Sequence, residues 1–163
     1  MEVVAHHLQV TAIGWKDPTE RDLFGRSSYN RYYYAAFLSV RQVLARLRPE
    51  WAALAHATFP EVLTGKILKT LSTGRNKAQR VRDGDLVSQC QRAIAASNEL
   101  AKLLRSSYAI RVIADYNPEI LVDFAHADRF KLNDVDITEA HQWPERAKVW
   151  ASEIERAWKQ VNV

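Results

Sequence analysis

Cysteine is almost absent from this chain: Cys90 is the one cysteine among 163 residues. No disulfide can form within the chain, and a thiolate metal cluster would lack its ligands. Cys90 lies among apolar residues at helical spacing, which predicts a buried thiol rather than a reactive one. We therefore expect no disulfide, no cysteine-bound metal and no cofactor.

Long apolar runs are also missing. No stretch of about 18 apolar residues occurs, which is the length a membrane-spanning helix needs. The first ten residues lack the basic cluster and apolar stretch of a secretion signal. These absences predict a cytoplasmic protein that does not use a membrane.

Glycine and proline are scarce, with five of each, so neither a fibre nor a low-complexity segment is indicated. Hydrophobic residues make up 47% and charged residues 26%, as in ordinary globular proteins. The length suits one apolar core without covalent staples. We predict a single domain over residues 1–163.

Charge is distributed unevenly behind a net value of +4. Residues 1–82 hold 13 Lys/Arg and 6 Asp/Glu, a net +7, whereas the remainder holds 10 and 13, a net −3. No acid occurs from Val62 to Arg82. This segment predicts either a solvated basic loop between helices or a surface that contacts phosphates. The candidate phosphate ligands in it are Lys66, Lys69, Arg75 and Lys77.

Helical periodicity dominates the rest of the chain. Apolar residues recur at intervals of three and four along three segments, which predicts three long amphipathic helices. The segments run from about Ser28 to Arg48, from Asp85 as N-cap to Val112, and from about Trp143 to Val161, with Pro144 suited only to a first turn. The prediction is an all-α fold, an up-and-down bundle of four to five main helices.

Weaker signals surround these three segments. Asp17 followed by Pro18 predicts another helix start, interrupted near Gly25. Short helical segments are expected at 50–57 and 60–71, before the basic loop. Nothing alternates at period two for long enough to predict a sheet.

One segment carries a family resemblance. Asn30–Arg41 reads Asn-Arg-Tyr-Tyr-Tyr-Ala-Ala-Phe-Leu-Ser-Val-Arg. It resembles the signature helix of the HEPN family, helical domains named for their link to nucleotide binding, which typically reads Ser-Arg-Ala-Tyr-Tyr-Ala-Ala-Phe-His-Ala-Ala-Arg. A later family feature is matched by Arg111, by Ala114-Asp115-Tyr116 and by the amphipathic segment from Thr138. The resemblance implies a HEPN-like bundle.

The chain departs from the family's nucleases at one position. Their active site pairs an arginine with a histidine, with four to six residues between the two, which here implies Arg31 and position 38. Position 38 is Leu38, which can neither accept nor return a proton. The motif is therefore degenerate, and we expect no catalytic residue. None of the five histidines follows an arginine at the family spacing; they are His6, His7, His56, His126 and His141.

Two of these histidine positions have simple explanations. His56 is expected to be half-buried in an amphipathic segment. His6 and His7 are adjacent, so their side chains diverge in a terminal segment, and we expect no metal site there.

Arg31 remains the main binding candidate, because a guanidinium keeps its charge and grips phosphate with two donors. Asp115 is expected to pair with Arg111 four residues before it on the same helix. Tyr32, Tyr33 and Tyr34 cannot all face one core, so one of them is expected to be exposed or to meet a partner. The other candidates for a substrate or phosphate site are Arg26, Tyr34, Asp115 and Tyr116.

The resemblance implies a protein that catalyses no reaction itself. It would be an accessory or regulatory subunit of a prokaryotic conflict system, either antiphage defence or toxin-antitoxin. It would act through an effector enzyme encoded nearby or through nucleotide binding, as a homodimer or hetero-oligomer. One alternative is a HEPN ribonuclease with a rearranged site at a dimer cleft, built from Arg26, Arg31 and Tyr34 or Tyr116. The second alternative is an RNA-binding module.

Overall fold

The computed structural model describes Met1–Asn162 and is mostly helical with one two-stranded hairpin, in agreement with the all-α class. In chain order the elements are α1 (Glu2–Gly14), α2 (Pro18–Leu47), 3-10 turns at Pro49–Ala53 and His56–Thr58, α3 (Phe59–Val62), a π-helical turn (Leu63–Ile67), α4 (Leu68–Arg80), α5 (Gly84–Tyr116), β1 (Lys131–Leu132), β2 (Val135–Asp136) and α6 (Ile137–Val161). None of the described helices is both long and apolar enough to cross a membrane.

The chain packs as two compact units. The first contains Met1–Ala36 and Ser106–Glu145, and the second contains Phe37–Arg105 and the chain from Arg146 onward. Long helices contribute to both, since α2 passes from the first unit to the second at Ala36. Each unit has its own buried aromatic residues: Tyr29, Tyr32, Phe130 and Trp143 in the first, and Trp51, Phe59 and Trp158 in the second.

Helix α2 begins where Asp17 and Pro18 predict, but it is not interrupted near Gly25 as expected. The carboxylate of Asp17 accepts hydrogen bonds from the backbone N–H groups of Thr19 (3.0 Å) and Glu20 (2.9 Å), which is an N-cap. The helix then continues through Gly25. Glycine allows close packing there, because a Cβ at this position would lie 3.2 Å from both methyl carbons of Val122, a tight contact.

The predicted basic loop is wrong: most of that segment is helix α4. A buried stripe at intervals of four, three and four residues explains why, since it gives this polar sequence one face to pack. The stripe consists of Ile67, Leu71, Gly74 and Ala78. The chain does turn afterwards, at Arg82, whose φ of 60° is left-handed.

Two other helix boundaries differ from prediction. The carboxylate of Asp83, and not that of Asp85, caps α5 by accepting the N–H of Leu86 at 3.0 Å. In α6 the helix begins at Ile137, so Pro144 lies inside it instead of in its first turn. A proline there leaves the carbonyl four residues earlier without its helical donor. The long apolar stripe of α6 holds the helix together on both sides of it.

Two elements were not predicted at all. Helix α1 buries only Ala5 and Ala12, while Val3, Val4 and Val10 are exposed, so its sequence carries no clear apolar stripe. The β1–β2 hairpin is too short for a period-two pattern. It turns through Asn133 and Asp134, both at positive φ, a conformation that these two residue types tolerate.

In the second unit, two single-residue predictions are confirmed. Cys90 is fully buried, and burial raises the pKa of its thiol, which keeps it protonated and unreactive. His56 is half-buried, with its ring centroid 3.8 Å from that of Phe37. Phe37 in turn packs edge-on against Phe59, so His56 completes an aromatic cluster.

An ion pair in this unit should make stability depend on pH. Arg46 donates two hydrogen bonds to Glu155, at 3.0 and 2.8 Å, and Lys159 adds a contact at 2.9 Å. Hydrogen bonding from Arg46 lowers the pKa of Glu155 from 4.5 to about 2. A carboxyl whose pKa falls on folding stabilises the protein above its unfolded pKa and loses that contribution as pH falls toward the folded value.

We predict that Glu155→Gln destabilises the protein by about 1 kcal/mol at pH 6, a value reduced for the solvent exposure of Arg46. The difference from the unsubstituted protein should shrink progressively between pH 4.5 and pH 2. Urea unfolding at several pH values measures it. Glu99→Gln, which removes an exposed pair with Lys102, is the matched control and should change stability little. A Glu155→Gln effect that is constant with pH would contradict the assignment.

Candidate phosphate-binding sites

Arg31 is exposed on α2, at the edge of a groove of about 280 Å³ in the first unit. The described contact of its guanidinium is with the sulfur of Met1, at 4.0 Å. The groove is lined by Leu23, Arg26, Ser27, Asn30, Arg31, Ala114 and Asp115. Arg31 is thus accessible for a phosphate or a carboxylate.

The acidic residue of this groove is already engaged. One carboxylate oxygen of Asp115 accepts a hydrogen bond from the Asn30 amide at 2.6 Å. The other lies 2.9 Å from Nε of Arg111, which confirms the predicted pair, although that N–H is not aligned for a hydrogen bond. Asp115 therefore offsets the charge of Arg111 and leaves that of Arg31 available to a ligand.

Tyr34 and Tyr116 lie around Arg111. The Tyr34 hydroxyl is 3.4 Å from Nη2 of Arg111, and the guanidinium lies 5.9 Å from the Tyr34 ring and 5.4 Å from that of Tyr116. Tyr34 is half-buried, whereas Tyr32 and Tyr33 are buried, so Tyr34 is the least buried of the three adjacent tyrosines. Tyr116 is largely exposed. The structure thus groups both predicted tyrosines on one arginine.

Arg26 also lines this groove, but its guanidinium is buried and bound within the protein, unlike that of Arg31. It is 7% exposed, and Nε donates to Asp22 at 2.6 Å. Its two terminal nitrogens donate to backbone carbonyls at and beyond the C-terminus of α5: those of Ile113, Ala114, Asn117, Pro118 and Ile120. These include carbonyls that a helix end leaves without an internal donor. This placement favours a structural role for Arg26 over phosphate binding.

The neighbours of Arg26 on α2 hold the chain after α5 in the same way. The other oxygen of Asp22 accepts the N–H of Val122 at 2.7 Å. The guanidinium of Arg21 lies 3.9 Å from the centre of the Phe124 ring. The Tyr29 hydroxyl donates to the carbonyl of Val135 at 2.6 Å. The irregular chain after α5 is therefore held by polar anchors on α2 that the sequence pattern did not reveal.

A histidine that sequence reasoning missed lies in the first unit. Nδ1 of His141 is 2.7 Å from the Tyr32 hydroxyl, which also lies 2.7 Å from Oε1 of Gln9. Since an amide oxygen only accepts, the Tyr32 hydroxyl donates to Oε1 of Gln9, and its oxygen also contacts the imidazole of His141. The His6 ring lies 5.4 Å from that of His141. A search restricted to motif spacing could not find a partner 109 residues away.

The second unit contains the basic candidates of α4. Lys66, Lys69 and Lys77 are exposed, whereas Arg75 is half-buried, with Nη2 3.4 Å from Oδ1 of Asn76. The three lysines are thus exposed to solvent, and Arg75 is only partly so. Among the described residues, no group of three or more His, Cys, Asp or Glu side chains is arranged to hold a metal ion.

Comparisons with protein-family models, with curated proteins and with solved structures find no match to this chain.

We predict that Arg26→Lys destabilises the protein by about 3 kcal/mol, because one ammonium cannot replace a fork of donors that serves several carbonyls. Chemical denaturation of the purified protein measures the loss. Arg105→Lys, an exposed position on α5, is the control and should lie within about 0.5 kcal/mol of the unsubstituted protein. Equal stability of the two variants would refute the role assigned to Arg26.

Proposed function

We propose that this chain is a HEPN-like protein without nuclease activity of its own. It serves as an accessory or regulatory subunit of a prokaryotic conflict system, acting through a partner enzyme or a bound nucleotide. The proposal rests on the match of Asn30–Arg41 and of Ala114-Asp115-Tyr116 to family features, in a chain that is almost entirely helical.

The observation that carries this proposal is the residue at position 38. Arg31 and Leu38 are seven residues apart on α2, which places them on the same side of that helix, two turns apart. Both are exposed, Leu38 at 39%. A leucine on the solvent side of a helix contributes little to a core, and it offers no proton to the 2′-hydroxyl chemistry that cuts RNA.

The tyrosines beside Arg31 do not replace the missing base. Burial raises the pKa of Tyr32 and of Tyr33 well above the ordinary value of a phenol. A phenol that stays protonated near neutral pH cannot accept the proton of a hydroxyl group. Arg31 is therefore suited to holding a phosphate, but the motif histidine that would help it to cleave RNA is missing.

We predict that the purified chain does not cleave RNA. Two variants, Leu38→His alone and Leu38→His combined with Arg31→Ala, test whether position 38 occupies the place of the family's catalytic histidine. If α2 supplies a latent nuclease site, the Leu38→His variant gains cleavage that Arg31→Ala removes. Gel analysis of labelled single-stranded and hairpin RNA measures both. Cleavage by the unsubstituted chain that Arg31→Ala abolishes would overturn the proposal.

A rearranged ribonuclease is the second candidate, and the contacts of His141 favour it. His141 brings an imidazole, a side chain able to transfer protons, to the Tyr32 hydroxyl, and His6 adds a second imidazole nearby. The same assay includes His141→Ala and His6→Ala. Cleavage by the unsubstituted chain that either variant abolishes would support this candidate and would also overturn the non-catalytic proposal.

The subunit role has its own test. We expect the chain, co-expressed with the product of its adjacent gene, to be isolated in one complex, and native mass spectrometry measures the stoichiometry. Arg31→Ala should weaken the complex, or the binding of a nucleotide to it, without unfolding the chain. A monomer that binds neither the adjacent gene product nor any nucleotide would contradict the subunit role.

A further inference from the structure

The exposed side of α4 forms a straight ridge of cationic and polar side chains. Lys69, Thr73, Asn76 and Arg80 follow one another at intervals of four, three and four residues, so they share one face of the helix, and all are exposed. Lys77 flanks this row, and Lys66 precedes it in the π-helical turn. We call these six residues the basic ridge. It extends for about 20 Å along the helix.

The basic ridge is held in place from its other side. Leu71, Gly74 and Ala78 are buried on the opposite face of α4. A Cβ at Gly74 would lie 2.7 Å from Cβ of Val161, so α4 and α6 approach each other closely within this unit. The ridge therefore stands on a packed helix rather than on a loop, which lowers the ordering cost of binding.

The charges of the ridge are not neutralised locally. The stretch from Val62 to Arg82 contains no acid. Among the described ion pairs, none involves Lys66, Lys69, Lys77 or Arg80, whereas Arg46, Arg92, Lys102 and Arg111 all have carboxylate partners. Four cations without a described acidic partner are thus collected on one side of a single helix.

The side chains of the ridge indicate how a ligand would be recognised. No aromatic residue lies on it, so bases cannot stack, which single-stranded nucleic acid binding normally requires. Lysine, arginine and asparagine side chains all donate hydrogen bonds to phosphate oxygens, whereas the Thr73 hydroxyl donates to the Lys69 carbonyl at 3.0 Å. A row of such groups about 20 Å long matches a backbone with regularly spaced phosphates and reads no sequence.

We propose that the basic ridge binds the phosphate backbone of double-stranded nucleic acid, independently of sequence. The site belongs to the second unit and does not depend on Arg31 or on the HEPN-like assignment. Binding there would place a duplex on the subunit without cleaving it.

The test is fluorescence anisotropy with the full chain and a labelled duplex of about 20 base pairs, in RNA and DNA versions. Four neutralised phosphates predict a slope of about −3.6 in log affinity against log salt, which is about a 100-fold loss between 50 and 200 mM salt. Replacing the four cations Lys66, Lys69, Lys77 and Arg80 with glutamine should remove most of the affinity and most of the slope. The glutamines keep the helix propensity of α4, and circular dichroism checks the fold.

A matched control distinguishes the effect of the ridge on binding from the effect of net charge. Replacing Lys16, Lys102, Arg105 and Arg156 with glutamine changes four exposed cations elsewhere and lowers the net charge from +4 to 0, as the ridge variant does. This control should keep duplex binding within about threefold. Equal losses in both variants, no duplex binding at 50 mM salt, or tighter binding of single-stranded RNA or anionic lipid vesicles than of duplex would each overturn the proposal.

Failure here and failure of the proposed function are distinguishable, because the variants do not overlap. RNA cleavage that depends on Arg31 or His141 would overturn the proposed non-catalytic role, and it would not affect the inference about the basic ridge. Duplex binding that is unchanged in the ridge variant would overturn this inference, and it would not affect the proposed subunit role.

Discussion

The guanidinium of Arg26 is the interaction on which the first unit depends. The chain after α5 is irregular, and not all of the carbonyls at and beyond the helix end have helical donors. Arg26 supplies donors to five of them, while Asp22 balances its charge and accepts the N–H of Val122. Without this pair the groove beside Arg31 would lose one wall, since Ala114 and Asp115 belong to the anchored helix end. One buried arginine thus positions the surface that an exposed arginine offers to a ligand.

The two arginines show why residue type alone does not assign a role. Arg26 and Arg31 are five residues apart on α2, and both are plausible phosphate ligands in a basic helix. Burial separates them, because Arg26 is committed to carbonyls and Arg31 faces solvent. The same distinction holds on α4, where the exposed lysines lie outward and Arg75 is half-buried. Available charge, and not charge content, defines both candidate surfaces.

The contacts of His141 join residues that are distant in the sequence and follow no motif. Position 38 of α2 carries no histidine, but His141 on α6 contacts Tyr32, the residue after Arg31, and His6 on α1 lies close to His141. A motif compares residues a few positions apart on one helix, so it cannot represent a pair separated by more than 100 residues. For this reason the non-catalytic proposal is tested with variants of His141 and His6 as well as of Arg31.

The sequence by itself determined the helical class, the start of α2 at Asp17-Pro18, the burial of Cys90 and the pairing of Arg111 with Asp115, because each follows from local spacing. Tertiary structure decided the rest. The basic segment became helix because a buried face could pack beneath it, and Pro144 stays inside α6 because packing offsets one lost hydrogen bond. The Arg26 anchors join residues about 90 positions apart, and such contacts depend on burial that no local pattern encodes.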